Sequence, residues 1–151
     1  MRSTRLGRAL VLGTVSGVMA LTAGCGGNDR LSREELVSQG DAICDEYDER
    51  IQQVEDPQSV EDVERFVNES KPIVEEGVNE LRALEPPEDL EEQYEEWVSE
   101  NEAAVAVLDD LRQAAAAADE TRVQEVAEEA QQTSARANRL AEDIGFERCG
   151  N

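Results

Sequence analysis

Residues 90–111 read LEEQYEEWVSENEAAVAVLDDL and contain Tyr94 and Trp97, two of only five aromatic residues in the chain. Apolar residues recur there every three or four positions, which is the period of an amphipathic α-helix. Because aromatic residues are so scarce, we expect these two side chains to anchor the core. The segment predicts a long helix from about Pro87 to Ala118, with an inward stripe of Leu90, Tyr94, Trp97, Val98, Asn101, Ala104, Val105, Leu108 and Leu111.

Two helices are predicted before this segment. Ser32, with Glu35 three residues later, forms a capping box that begins the first helix, and Asp56-Pro57 ends it. The second helix begins at Ser59 and ends before the Pro-Pro pair at residues 86–87. Pro72 removes a backbone donor from the middle of that helix, so we predict either one bent helix or two pieces.

A fourth apolar stripe follows Asp119 and predicts the last helix. Gly145 is its predicted C-cap, and Phe146 is expected to fold back onto the last turn. Four amphipathic helices joined by short links predict an all-α, antiparallel four-helix bundle in which the first and last helices are neighbours. The order of the helices in space stays open, because each helix could exchange neighbours and keep the same stripe.

Asn101 and Thr133 are polar residues that fall inside apolar stripes. One interpretation is that each makes a polar contact in a ligand pocket between helices. The alternative is a hydrogen-bonded position in the core or at its rim, because buried polar groups are usually paired.

A leader precedes the helices. Three arginines and an uncharged run over residues 9–23 come before Cys25, which closes the sequence LTAGC. This arrangement resembles a bacterial lipoprotein signal peptide, in which the cysteine is lipidated and becomes the first mature residue. The run of about 15 residues is short for a bilayer, which takes roughly 20. The expected organisation is a signal peptide at 1–24, a lipidated N-terminus and tether at 25–31, and a helical domain at 32–151.

Cysteine counting supports that interpretation. The chain has three cysteines, and if Cys25 carries lipid, Cys44 and Cys149 remain as a pair. Export places this pair where disulfides form and persist. We therefore predict a disulfide that closes a loop of about 105 residues and staples the first helix to the C-terminal tail. Two unpaired buried thiols are the alternative.

The net charge restricts the partners. The chain carries 14 basic and 36 acidic residues, a formal charge of −22. Cleavage before Cys25 removes three arginines and no acid, which leaves about −25. Such a surface disfavours nucleic acid, whose phosphates need positive charge. It would also be repelled by anionic lipid headgroups, so membrane attachment is expected through the acyl chains alone. The acidity fits a solvated exterior, a high-salt habitat, or the capture of cations or a basic partner.

The order of these features resembles that of a group of small, uncharacterised actinobacterial lipoproteins. The resemblance rests on five features: the lipobox, which is the LTAGC sequence at 21–25, the early Asp41-Ala42-Ile43-Cys44, the LRALEPP segment at 81–87, the alanine-rich third helix and the terminal IGFERCG at 144–150. It covers the whole chain, and the paired cysteines and the Pro-Pro turn are its most specific parts. It implies an exported helical domain and no assigned activity.

Catalytic chemistry is not indicated by the sequence. The chain contains no histidine, which removes Ser-His-Asp arrangements and the commonest proton shuttle. Carboxylates alone favour calcium or magnesium, and the weak candidates are Glu91, Glu92, Glu95 and Glu96. We expect a noncatalytic domain without a cofactor, lipid-anchored on the extracytoplasmic face of the cell membrane. It would bind a protein or small solute or organise the envelope; low-affinity binding of a divalent cation is the alternative.

Overall fold

The computed structural model describes residues 30–150. In this part of the chain there are four α-helices and no strands: α1 Arg33–Ile51, α2 Val60–Arg82, α3 Glu91–Ala116 and α4 Glu120–Ile144. The predicted all-α fold class is confirmed. The predicted signal peptide, Cys25 and most of the tether lie outside the described residues.

Consecutive helices pack side by side and run in opposite directions. The Tyr47 hydroxyl of α1 donates to Glu80 Oε1 at 2.7 Å, and Arg50, further along α1, pairs with Glu76, earlier in α2. Between α2 and α3, Lys71 Nζ lies 2.8 Å from Asp109 Oδ2, and the Tyr94 hydroxyl donates to the Leu81 carbonyl at 2.6 Å. Between α3 and α4, Arg136 Nε lies 3.1 Å from Glu100 Oε2.

The largest core cluster occupies one end of the bundle, which we call the aromatic end: residues 30–44, 78–101 and 134–150. Trp97 is its centre, with its ring 4.8 Å from that of Phe146 and 5.5 Å from that of Tyr94, centroid to centroid. These separations lie in the range in which aromatic pairs attract. Leu36 of α1 and Ile144 of α4 are completely buried in the same cluster.

The other end, which we call the alanine end, comprises residues 60–74, 104–116 and 120–133. Its buried side chains are small, for example Ala114, Ala115 and Val126. α1 does not extend to this end of the bundle, because it has only 19 residues whereas α3 has 26. The non-helical link 52–59 runs beside α2 instead, with Glu55 Oε2 3.9 Å from Arg65 Nη2.

Two glycines let aromatic rings lie directly on helix backbones. A Cβ atom built at Gly40 in α1 would stand 2.4 Å from Cε1 of Phe146, and one built at Gly77 in α2 would stand 2.9 Å from Cγ of Tyr47. Neither distance is compatible with a side chain at the glycine. These two contacts set the position of α1 against α2 and against the C-terminal tail.

Several boundaries differ from the predicted ones. Of the two alternatives predicted at Pro72, the structure has one helix and not two pieces, because α2 continues through this residue. The carbonyl that loses its donor belongs to Asn68, an exposed residue that water can reach. Residues 87–90 form a turn, with the Leu90 N–H donating to the Pro87 carbonyl at 2.9 Å, so α3 begins later than predicted. At its other end α3 stops before Ala118, whose φ is +52°.

The helix caps and the last turn of α4 agree more closely with the predictions from the sequence. The Ser32–Glu35 capping box is present, and Gly145 ends α4 with φ +107°. Phe146 folds back and is buried, as predicted. Ser59 does begin α2, but its hydroxyl donates to Asp62 Oδ2 at 3.0 Å instead of capping a backbone N–H. None of the helices in residues 30–150 combines the length and apolar composition that crossing a membrane requires.

Candidate functional site

The Cys44–Cys149 disulfide is present in the structure, with a Cα–Cα distance of 5.2 Å. It joins the middle of α1 to the tail, residues 145–150, that follows α4. The predicted adjacency of the first and last helices is thus limited: α1 packs along α2 and meets the end of α4 mainly through this tail. Arg33 adds a direct contact, with Nη1 donating to the Ile144 carbonyl at 3.0 Å.

Hydrogen bonds from the two residues after Phe146 hold the tail against α1. The Asp41 carboxylate accepts the backbone N–H of Glu147 at 3.0 Å and that of Arg148 at 2.8 Å. The Arg148 guanidinium then reaches Asp45, one helical turn further along α1. These contacts hold the tail in place in addition to the disulfide.

A cavity of about 160 Å³ lies beside the disulfide, and we call it the disulfide cavity. Its walls come from α1, α2, α3 and the tail, and they are largely apolar. Half-buried Ile43 and Ile51 contribute from α1, and Val74 and Leu81 contribute from α2. Clefts lined by apolar side chains with a few polar groups are the usual form of small-ligand sites.

Asn101 is the polar side chain that α3 contributes to this cavity. Its Nδ2 donates to the Trp97 carbonyl one turn earlier at 2.8 Å, which fixes the orientation of the amide. Its Oδ1 accepts no hydrogen bond from residues 30–150. One half of the Asn101 amide is thus hydrogen-bonded within α3, in agreement with the second interpretation, and a contact between the other half and a ligand stays a prediction. Thr133, by contrast, is buried in α4 and accepts from Arg136 Nη2 at 3.4 Å.

Charged and phenolic groups surround the mouth of the disulfide cavity. Asp48 and Arg148 are exposed and line it. Partial desolvation, and then the nearby charge of Asp45, raise the pKa of Asp48, while Arg148 acts in the opposite direction. Desolvation and the hydrogen bond to Glu80 raise the pKa of Tyr47 to about 12, so its hydroxyl remains a donor at neutral pH.

A larger cleft of about 380 Å³ lies between the end of α2 and the start of α3. An ion pair between Arg82 and Glu102 lines it, and the Tyr94 hydroxyl beneath it already donates to the Leu81 carbonyl. Exposed Glu95 and Ser99 also line this cleft, so its surface is more polar than that of the disulfide cavity, whose walls are mainly aliphatic.

The acidic candidates for a metal site are not brought together. The Arg30 guanidinium lies 2.8 Å from Glu91 Oε1, and this hydrogen bond lowers the pKa of the Glu91 carboxyl. Glu92, Glu95 and Glu96 are exposed on α3. Within residues 30–150 no three acidic, cysteine or histidine side chains are placed to hold a metal ion. Cation binding by these helix faces stays a prediction.

Sequence reasoning missed Gly77, although a signal for it existed. It lies on the apolar stripe of α2 between Val74 and Val78, where a glycine weakens a helix by roughly 1 kcal/mol and is best explained by close approach of another group. The disulfide cavity lies next to Gly77, where the Tyr47 ring contacts the backbone of α2. Comparison with protein families, with curated proteins and with solved structures finds no match to this chain.

Proposed function

We propose that the protein is a noncatalytic binding domain, held by a lipid on Cys25 at the extracytoplasmic face of a membrane, with the disulfide cavity as its ligand site. The observation that carries the binding role is this cavity, which is apolar and contains one unpaired amide oxygen at Asn101. A ligand that supplies a donor can replace water at this oxygen while its apolar part is buried against the aliphatic walls.

The absence of histidine from the sequence favours binding over catalysis. Of the titratable groups that line the cavity, Asp48 and Arg148 lie at its exposed mouth. The side chains deeper in the cavity are aliphatic, apart from the Asn101 amide, the Tyr47 ring and the disulfide. These groups suit recognition by shape and one hydrogen bond.

Attachment of the chain start supports a defined orientation at the membrane. The Leu31 N–H donates to the Glu85 carbonyl at 2.8 Å, and Arg30 Nη1 donates to the Pro86 carbonyl at 3.0 Å. Residues 25–29 would then separate the lipid from the bundle by at most roughly 17 Å. The aromatic end would face the membrane, and the alanine end would point away from it.

Intact mass spectrometry of the membrane-extracted protein, before and after reduction, tests the anchor. A mature chain that starts at Cys25, carries acyl mass and gains two protons on reduction is the expected result. The matched control is Cys25→Ser, which should leave the membrane fraction without acyl mass. An unlipidated wild-type chain would contradict the proposed location.

A further inference from the structure

We infer that the ligand of the disulfide cavity is a small neutral compound with an apolar body about the size of a benzene ring and one hydrogen-bond donor that reaches Asn101 Oδ1. This inference rests on the binding function proposed above and specifies the ligand class for that site.

The size follows from the volume. The cavity measures about 160 Å³. An engineered apolar protein cavity of about 150 Å³ binds benzene or xenon, so the part of a ligand that enters this space is about the size of a single ring or a short branched alkyl group.

The cavity cannot close by moving α1 toward α2. On one side the Tyr47 ring already rests on the backbone at Gly77, and on the other side the Cys44–Cys149 bridge and the Asp41 carboxylate hold α1 to the tail. With α1 supported at both places, Ile43 and Ile51 stay separated from Val74 and Leu81. The space between them is therefore available for a ligand that buries these aliphatic surfaces.

The donor requirement follows from Asn101. Because Nδ2 is committed to the Trp97 carbonyl, the amide presents only its acceptor, Oδ1, for another hydrogen bond. A ligand that carries an O–H or N–H can pair with this oxygen, whereas a pure hydrocarbon leaves it unpaired.

Charge and desolvation together favour a neutral ligand. Asp48 and Arg148 line the mouth, and Asp45, Glu76, Glu80 and Arg50 lie around it. Acidic groups outnumber basic ones near the opening, which disfavours an anion. A ligand of either charge would also lose hydration on entering the aliphatic part of the cavity.

Phenol and benzene form a matched pair of probes, because they differ by the hydroxyl donor. We would titrate each into the isotope-labelled mature chain carrying Cys25→Ser, since detergent micelles needed for the lipidated form would take up the probes. Two-dimensional NMR would follow the side-chain amide of Asn101 and the methyl groups of Val74. We expect phenol to bind about fivefold more tightly than benzene, the ratio that one neutral hydrogen bond of about 1 kcal/mol produces.

Four variants sharpen the result. Asn101→Leu keeps the side-chain size and removes the acceptor, so the preference for phenol should disappear. Asn68→Leu, on the exposed face of α2, is the matched control and should leave the preference unchanged. Val74→Phe fills the cavity and should weaken binding of both probes by about tenfold or more. Ile51→Phe serves the same purpose if Val74→Phe does not fold, which near-ultraviolet circular dichroism would show.

The outcomes separate this inference from the proposed function. Equal affinities for phenol and benzene, unaffected by Asn101→Leu, would overturn the donor requirement and leave a binding cavity. Failure of both probes to shift the cavity resonances would overturn the ligand class. Loss of the lipid anchor in mass spectrometry would overturn the proposed location without touching either result.

Discussion

The two ends of this bundle bury their cores in different ways. At the aromatic end, three rings pack together, a disulfide joins α1 to the tail, and Leu36, Trp97 and Ile144 have exposed fractions of 0–1%. At the alanine end the buried residues are small, and most of the larger apolar side chains, such as Leu108 and Leu111, are only half-buried. Since hydrophobic stabilisation scales with buried apolar area, the aromatic end should contribute most of the stability.

The difference arises from helix length and composition. α1 ends near Glu76 of its neighbour, so the alanine end is built from three helices and the link 52–59. Local opening should therefore begin there, because regions with few large buried contacts open most easily. The proposed ligand cavity lies along the second half of α1, next to the boundary between the two ends.

Removal of the disulfide should give the largest effect. A bridge that closes a loop of 105 residues stabilises by about 4 to 5 kcal/mol in the chain-entropy treatment. We expect Cys44→Ala/Cys149→Ala to lose about this amount in urea unfolding, with hydrogen exchange accelerating first in α1 and the tail. Equal acceleration of hydrogen exchange at the alanine end would contradict the view that the disulfide stabilises mainly the aromatic end. Reduction of the wild-type protein is the matched control.

A leucine pair tests the two cores with identical chemistry. Leu36→Ala removes a fully buried side chain at the aromatic end and should cost about 3 kcal/mol, while Leu111→Ala at the alanine end should cost about 1 kcal/mol. The free energies of unfolding come from urea titrations of both variants under the same conditions. Similar losses would show that the alanine end is packed as tightly as the aromatic end.

Gly40→Ala tests the contact between α1 and the tail. The added methyl group would stand 2.4 Å from the ring of Phe146, so the ring must leave its place beside Trp97. We expect a loss of about 2 kcal/mol, which exceeds the gain in helix propensity. The near-ultraviolet circular dichroism of Trp97 should weaken. An unchanged spectrum with unchanged stability would contradict the close approach.

Ser70→Ala should have a smaller effect of the opposite sign. Ser70 is buried at the alanine end, and its hydroxyl has no hydrogen-bond partner in the described part of the chain. Replacing it removes a desolvation penalty, so we expect stability to rise by up to about 1 kcal/mol. Ser99→Ala, at an exposed position of α3, provides the control for helix propensity. A destabilised Ser70→Ala variant would indicate a bond from the hydroxyl to a nearby carbonyl.

The smallest effects concern two half-buried ion pairs, one at each end. Hydrogen bonds from Arg30 and from Lys71 lower the pKa values of Glu91 and Asp109, respectively. Each carboxylate therefore adds stability above its unfolded pKa, near 4, and this contribution is lost as the pH falls through the lowered folded value. Carboxyl NMR titrations should give midpoints below the ordinary range. Arg30→Gln should return Glu91 alone to that range, and a change at Asp109 would indicate coupling between the ends.

The sequence by itself determined the local parts of this structure. Ser32 with Glu35, and Gly145 with Phe146, mark helix ends through contacts within one turn, which neighbouring residues supply whatever the rest of the chain does. The apolar stripes and the count of cysteines likewise predicted four helices and the Cys44–Cys149 pair before any packing was known.

Only the tertiary structure decided the continuity of α2 through Pro72, the limited contact between α1 and α4, and the disulfide cavity. The first depends on which side of α2 faces water, since the carbonyl that loses its donor belongs to Asn68, an exposed residue. The cavity depends on where α1 stops against α2, and that position is set by Tyr47 on Gly77 and by Phe146 on Gly40. Residues far apart in the chain make these contacts, and their fit is a matter of ring and backbone geometry that no periodicity in the sequence encodes.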